Sequence, residues 1–80
     1  MSVTGAVYVD GYTIRVTFSD HTEREIDFTR PFAKLKGYYA QYREPTAFQS
    51  FIIDGGNLVW GEDWDVIFPV WSLYSGSVAR

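Results

Sequence analysis

From Tyr12 to Phe28, apolar and polar residues alternate with the period of two that marks half-buried strands. Val7 and Val9 come before Asp10-Gly11, a pair suited to a type I′ turn because both central positions need positive φ. A two-residue turn there pairs Val9 with Tyr12 and Val7 with Ile14, leaving Tyr12, Ile14, Val16 and Phe18 on one inner face. Parity decides the next turn. A two-residue loop at Asp20-His21 would set Val16 opposite Glu25 and Phe18 opposite Glu23, burying carboxylates. A three-residue loop at Ser19-Asp20-His21 instead pairs Ile14 with Ile26 and Tyr12 with Phe28. It also sets Arg15 against Glu25 on the outer face, a complementary cross-strand pair. His21 then takes the left-handed position of the loop, where histidine is better tolerated than most side chains.

After this meander the period changes. Thr29-Arg30-Pro31-Phe32 reads as a helix start, with Thr29 as cap, Pro31 in the first turn, Phe32 and Leu35 inward and Gly37 as the stop. A second short helix begins near Pro45 with Phe48 turned inward, because proline disfavours helical geometry at Glu44. Phe51-Ile52-Ile53 and Leu58-Val59-Trp60 form a second hairpin around Asp54-Gly55-Gly56-Asn57. Asp54-Gly55 and Gly55-Gly56 are both good turns, so its register stays open. Apolar residues on both faces predict that these strands are more buried than the first three. Gly61 and three acids then break the apolar pattern, which makes 61–65 a surface loop. Pro69 opens a short helix with Val70, Leu73 and Tyr74 on one face. The expected class is α+β: an N-terminal three-stranded antiparallel meander, short helices, a second β-hairpin and a short C-terminal helix.

Composition narrows the function more than the fold. Eighty residues hold one core and one domain, with an expected stability of about 4–12 kcal/mol. Fifteen aromatic rings offset the small size, since each removes a large apolar area from water. The absence of cysteine excludes disulfides, zinc–thiolate sites and a thiol nucleophile. No basic, apolar leader opens the chain and its apolar runs are too short to span a membrane, so a soluble cytoplasmic protein is expected. A net charge of −3 works against direct nucleic-acid binding. Arg30, Lys34, Lys36 and Arg43 nevertheless fall in one stretch free of acids.

Several segments carry a resemblance by their order and spacing: Tyr12-Thr13-Ile14-Arg15-Val16-Thr17-Phe18-Ser19-Asp20, Arg43-Glu44-Pro45-Thr46-Ala47-Phe48, Asp54-Gly55-Gly56, Val59-Trp60 and Leu73-Tyr74. Together they resemble domain of unknown function 2442 (DUF2442), a family of small bacterial proteins, from Val7 to Tyr74. His21 departs from the glycine expected after Ser19-Asp20. The resemblance implies an α+β domain of antiparallel strands and short helices, and it brings no catalytic residues with it. It also implies relatives fused to a helix-turn-helix domain and others encoded beside a second small protein in toxin–antitoxin-like pairs. Eighty residues leave no room for an appended DNA-binding domain, so any action on nucleic acid is expected to pass through a partner.

The candidate chemistry is thin. His21, the sole histidine, sits at a hairpin tip beside Asp20 and reads as a turn residue rather than a member of a catalytic triad. Glu62, Asp63 and Asp65 offer oxygens to a hard cation, but the glycine and closing glutamate of a calcium loop are missing. A carboxylate pair for glycoside chemistry would need a cleft that so short a chain has little room to build. The run containing Lys34, Lys36, Tyr38, Tyr39, Tyr42 and Arg43 could track a phosphate backbone and stack bases. Against that, tyrosines can cover a sheet while lysine and arginine keep their heads in water.

The tryptophans carry more weight. Trp60, Trp64 and Trp71 lie within twelve residues, more than so small a core needs, and tryptophan is enriched at binding hot spots. Trp60 is assigned to the core. Trp64 and Trp71, rimmed by Glu62, Asp63 and Asp65, are assigned to a contact surface for a protein partner or a second copy. The expectation is a non-enzymatic interaction domain without metal or cofactor, the antitoxin-like or regulatory member of a two-protein module. The alternative is a nucleic-acid-binding module built on the basic tyrosine segment.

Overall fold

A computed structural model describes residues 1–76. Strands β1 (Val3–Asp10), β2 (Thr13–Phe18) and β3 (Glu23–Asp27) form an antiparallel meander. Two short helices follow, α1 (Thr29–Ala33) and α2 (Pro45–Phe48), with a 3₁₀ helix, Gly37–Arg43, between them. Strands β4 (Ile52–Asp54), β5 (Asn57–Trp60) and β6 (Val66–Phe68) make a second antiparallel sheet, and α3 (Val70–Ser75) closes the described chain. The class is α+β, as the pattern predicts.

The parity argument holds between β2 and β3. Ile14 pairs with Ile26 and Arg15 with Glu25, and an Arg15–Glu25 salt bridge of 3.0 Å joins the latter pair. His21 has φ 71°, so the three-residue loop is the one adopted.

The first hairpin differs from expectation. Asp10 pairs with Thr13 and Tyr8 with Ile14, with a bulge at Val9, so the turn centres on Gly11-Tyr12 rather than Asp10-Gly11. The predicted Val9–Tyr12 and Val7–Ile14 pairs do not form, and both valines stay exposed. The bulge turns Tyr8 inward, where its ring meets Phe48 edge-on at 6.1 Å. It also frees Tyr12 to pack on Phe48 at 5.0 Å and to donate its hydroxyl to Arg43 O at 2.6 Å. Burying two rings outweighs burying two valines.

Four further expectations are corrected. Thr29 does not cap α1; its N–H and hydroxyl both donate to Asp27 Oδ1, and α1 ends at Ala33, before Gly37. Gly37, expected as the stop of α1, instead opens the 3₁₀ helix Gly37–Arg43. The second hairpin is a three-stranded sheet, because Val66, Ile67 and Phe68 pair with Trp60, Val59 and Leu58. Finally, β4 is no more buried than the first strands: Ile52 and Ile53 are exposed, Phe51 lies outside the strand, and only β5 is enclosed. The open register resolves to an Asp54–Asn57 pair around Gly55-Gly56.

One core lies between the sheets and under the helices, containing Ile14, Val16, Phe18, Ile26, Phe28, Phe32, Phe48, Leu58, Trp60 and Leu73. The sheets meet where Val3 N–H donates to Gly56 O at 2.8 Å. That contact yields a test. Gly55 and Gly56 both have positive φ, 60° and 82°. A Cβ on Gly56 would stand 2.9 Å from Ser2 Cβ, whereas one on Gly55 meets only Asn57 Nδ2 at 3.9 Å. Gly55→Ala should therefore cost about 1–2 kcal/mol, the left-handed penalty alone. Gly56→Ala should cost clearly more, read as the larger drop in urea midpoint.

Candidate functional site

The second sheet has one face in the core and one turned away from it. Leu58 and Trp60 point inward, so alternation along β5 puts Val59 outward, and the register aligns Ile52, Val59 and Ile67 in one row across that outer face. Ile52 and Ile67 are 50% and 40% exposed. Between them Val59 is fully buried although it stands outside the main core cluster.

The 61–65 loop reaches back to this sheet. Trp64 follows β5 by four residues, yet its indole N–H donates to Asp54 Oδ2 at 2.8 Å. Asp54 lies at the far end of the outer face, beside the Gly55-Gly56 turn. That bond draws the indole back toward the sheet whose outer face carries Ile52, Val59 and Ile67. Trp64 itself remains 51% exposed and holds a left-handed backbone, φ 57°, a conformation that costs a non-glycine residue energy.

The base of the loop is fixed from the other side. Tyr42 is buried, and its hydroxyl donates to Asp65 Oδ2 at 2.7 Å. The hydrogen bond to that carboxylate, reinforced by burial, holds the Tyr42 phenol well above the ordinary tyrosine range. Gly61 passes under this contact with φ 88°, and a Cβ there would meet Tyr42 Oη at 2.5 Å and Asp65 Oδ2 at 2.7 Å. Glycine is required by both backbone and space.

Of the residues assigned to a contact surface, Glu62, Asp63, Trp64 and Trp71 are exposed and Asp65 is half-buried. Trp71 stands on α3 with 69% of its surface open. Glu62 shares an open depression of about 250 Å³ with Ser50, Ile52 and Gly61. In the basic segment Lys34, Lys36, Tyr38, Tyr39 and Arg43 are exposed, with Tyr38 and Tyr39 edge-to-face at 5.4 Å, whereas Tyr42 faces inward. His21 is exposed at its hairpin tip. Its neighbour Asp20 accepts from Thr22 N–H and from the Tyr74 hydroxyl, which hold its carboxyl below the usual range. Among the described residues no group of three or more acids and histidines is placed to hold a metal ion, and no helix is long and apolar enough to cross a membrane.

Sequence reasoning missed Ile52, Asp54 and Ile67 as parts of this face. The β-prone apolar run Val66-Ile67-Phe68 is a usable signal for a strand, but three apolar residues between an acidic loop and a proline carry no period that says which of them faces out.

The Tyr42–Asp65 bond makes a prediction of its own. Replacing Tyr42 with phenylalanine removes a hydrogen bond to a charged acceptor and should cost about 1.5–3 kcal/mol at neutral pH. Because the folded chain raises the phenol pKa, that stabilisation is complete below the ordinary tyrosine value of about 10 and is lost as pH climbs through the raised value. The stability gap between native chain and Tyr42→Phe should therefore narrow only at strongly alkaline pH. In a spectrophotometric titration of the six tyrosines, the variant should lack the last phenol to ionise.

Comparison with known proteins adds a family and no activity. Neither the curated proteins nor the solved structures provide a match. Residues 3–78 match the family described as "Protein of unknown function (DUF2442)". That span takes in both sheets, the helices and the tryptophan loop, and the chain is a member of the DUF2442 family.

Proposed function

We propose that this protein is a non-enzymatic binding module that docks another protein on the outer face of its second sheet and the adjoining loop and helix. The observation that carries this reading is the distribution of exposed apolar side chains. Among the described residues, five of the ten exposed large hydrophobics, Ile52, Ile53, Trp64, Ile67 and Trp71, come from one strand–loop–strand–helix stretch, the others being Met1, Val7, Val9, Tyr38 and Tyr39. Trp60, the third tryptophan, has no exposed surface. Two large rings left open beside aliphatic rows supply anchors of the kind that dominate binding energy, and Glu62 and Asp63 supply a polar rim. Trp64 is pre-oriented by its bond to Asp54, which reduces the entropy lost on docking. The partner is a second copy of the chain or the other member of a two-protein module in which this chain is antitoxin-like or regulatory.

One observation favours a second reading. Tyr38 and Tyr39 are open rings flanked by Lys34, Lys36 and Arg43, an arrangement able to stack bases along a phosphate backbone. Salt-dependent binding of an oligonucleotide that survives Trp71→Ala and is lost on Tyr38→Ala would establish that reading instead.

Trp71 gives the cleaner test of the first. Among the described residues its side chain makes no hydrogen bond or ring contact, so Trp71→Ala should change stability by no more than about 0.5 kcal/mol. Losing a buried ring from an interface should weaken association roughly 30- to 150-fold. The measurement is co-purification of the native chain and the variant with the product of a neighbouring gene, followed by titration of the purified pair. Undiminished binding by both Trp64→Ala and Trp71→Ala would place the contact elsewhere.

A further inference from the structure

We infer that the occupant of this face is a second copy of the chain, docked about a two-fold axis so that Arg43 of each copy meets Glu62 and Asp63 of the other. The inference rests on the contact-surface reading above and names the partner. Its first support is the contact between the basic and acidic segments. The Tyr42–Asp65 hydrogen bond of 2.7 Å ties the end of the 3₁₀ helix to the 61–65 loop. Arg43 and the Glu62-Asp63 pair thus flank one junction, with opposite charges.

These charges are not used within the chain. Arg43, Glu62 and Asp63 are all exposed, and among the described residues the sole ion pair is Arg15–Glu25. The junction also has a shape. The open depression lined by Ser50, Ile52, Gly61 and Glu62 has an isoleucine side chain in its wall and a carboxylate at its rim. An arginine suits it: the aliphatic stem lies on Ile52 and the guanidinium reaches the acid.

A surface that presents both signs side by side is self-complementary about a two-fold axis, whereas a partner of one charge meets one of them with like charge. A two-fold places acid against base twice and lets the Ile52, Ile67 and Trp64 surfaces meet their own kind, the self-complementarity an isologous interface demands.

The test is sedimentation equilibrium of the full chain from micromolar to millimolar concentration, with far-UV circular dichroism to confirm that each variant is folded. The native chain should dimerise. Arg43→Glu and Glu62→Lys should each weaken the dimer by about tenfold or more, because each sets like charges together at both contacts. An equimolar mixture of the two variants should recover dimer, since in the mixed pair both contacts again join opposite charges. A native chain that stays monomeric throughout, or a dimer indifferent to both reversals, overturns the inference. If the chain is monomeric but its capture of another protein is lost in Trp71→Ala, the self-pairing fails and the contact surface stands. If the chain neither dimerises nor loses a partner in the tryptophan variants, both fail.

Discussion

Burying an indole at the centre of an eighty-residue chain imposes a condition that much of the rest meets: the Trp60 N–H must find an acceptor where water cannot reach. It donates to Phe48 O at 2.7 Å, in a buried position. Phe48 is the last residue of α2, and the final carbonyls of a helix have no partner inside it. One bond therefore resolves two deficits. It also fixes a four-residue helix, too short to persist alone, against the middle strand of the second sheet. Around this point the rings of Phe28, Phe32, Phe48, Phe51 and Phe68 lie 4.9–6.0 Å from the Trp60 centroid, most of them edge-on. The proline that opens α2 and the strand that carries Trp60 thus act on the same structure from opposite ends of the sequence between them.

The two sheets contribute one face each to this core, and their outer faces differ. On the first sheet the outward row through Arg15 and Glu25 is closed by an ion pair, with Thr13 and Thr17 beside it. Val7, paired with Arg15 and exposed, is the apolar member of that row in an otherwise polar-out face. On the second sheet the corresponding row is Ile52, Val59 and Ile67. A small domain has little apolar area to place anywhere but its core. Leaving isoleucines on the outside of the second sheet therefore has a cost to solubility that only a covering group removes. Trp64, bonded to Asp54 on this sheet, is the ring that the chain itself brings to it.

How much of this was legible depended on whether a local rule had a competitor. The β2–β3 register could be read because only one pairing kept carboxylates out of the core, and Arg15 and Glu25 then matched without further assumption. The β1–β2 register could not, because the turn preference of Asp10-Gly11 competed with the packing of Tyr8 and Tyr12, and packing against Phe48 won. Trp60 as core and 61–65 as an exposed loop followed from pattern alone. The grip of Tyr42 on Asp65 did not. It joins positions 23 apart, and residues at that separation come together only after the fold is known. Asp54 was hidden in another way: as part of an evident turn it needed no second role.

Trp64 brings these threads together. A left-handed backbone costs an L-residue about 1–2 kcal/mol, and a large aromatic side chain is an unusual choice for it. The side chain nevertheless turns back to the sheet, where its N–H reaches Asp54. Glycine at position 64 would accept the backbone at no cost but would leave Asp54 without this donor. The conformation is therefore stabilised by the bond that the side chain makes to Asp54. Half of the surface of Trp64 is still open. Ile52 and Ile67 stay open on either side of Val59, so the chain by itself leaves an apolar row unfinished.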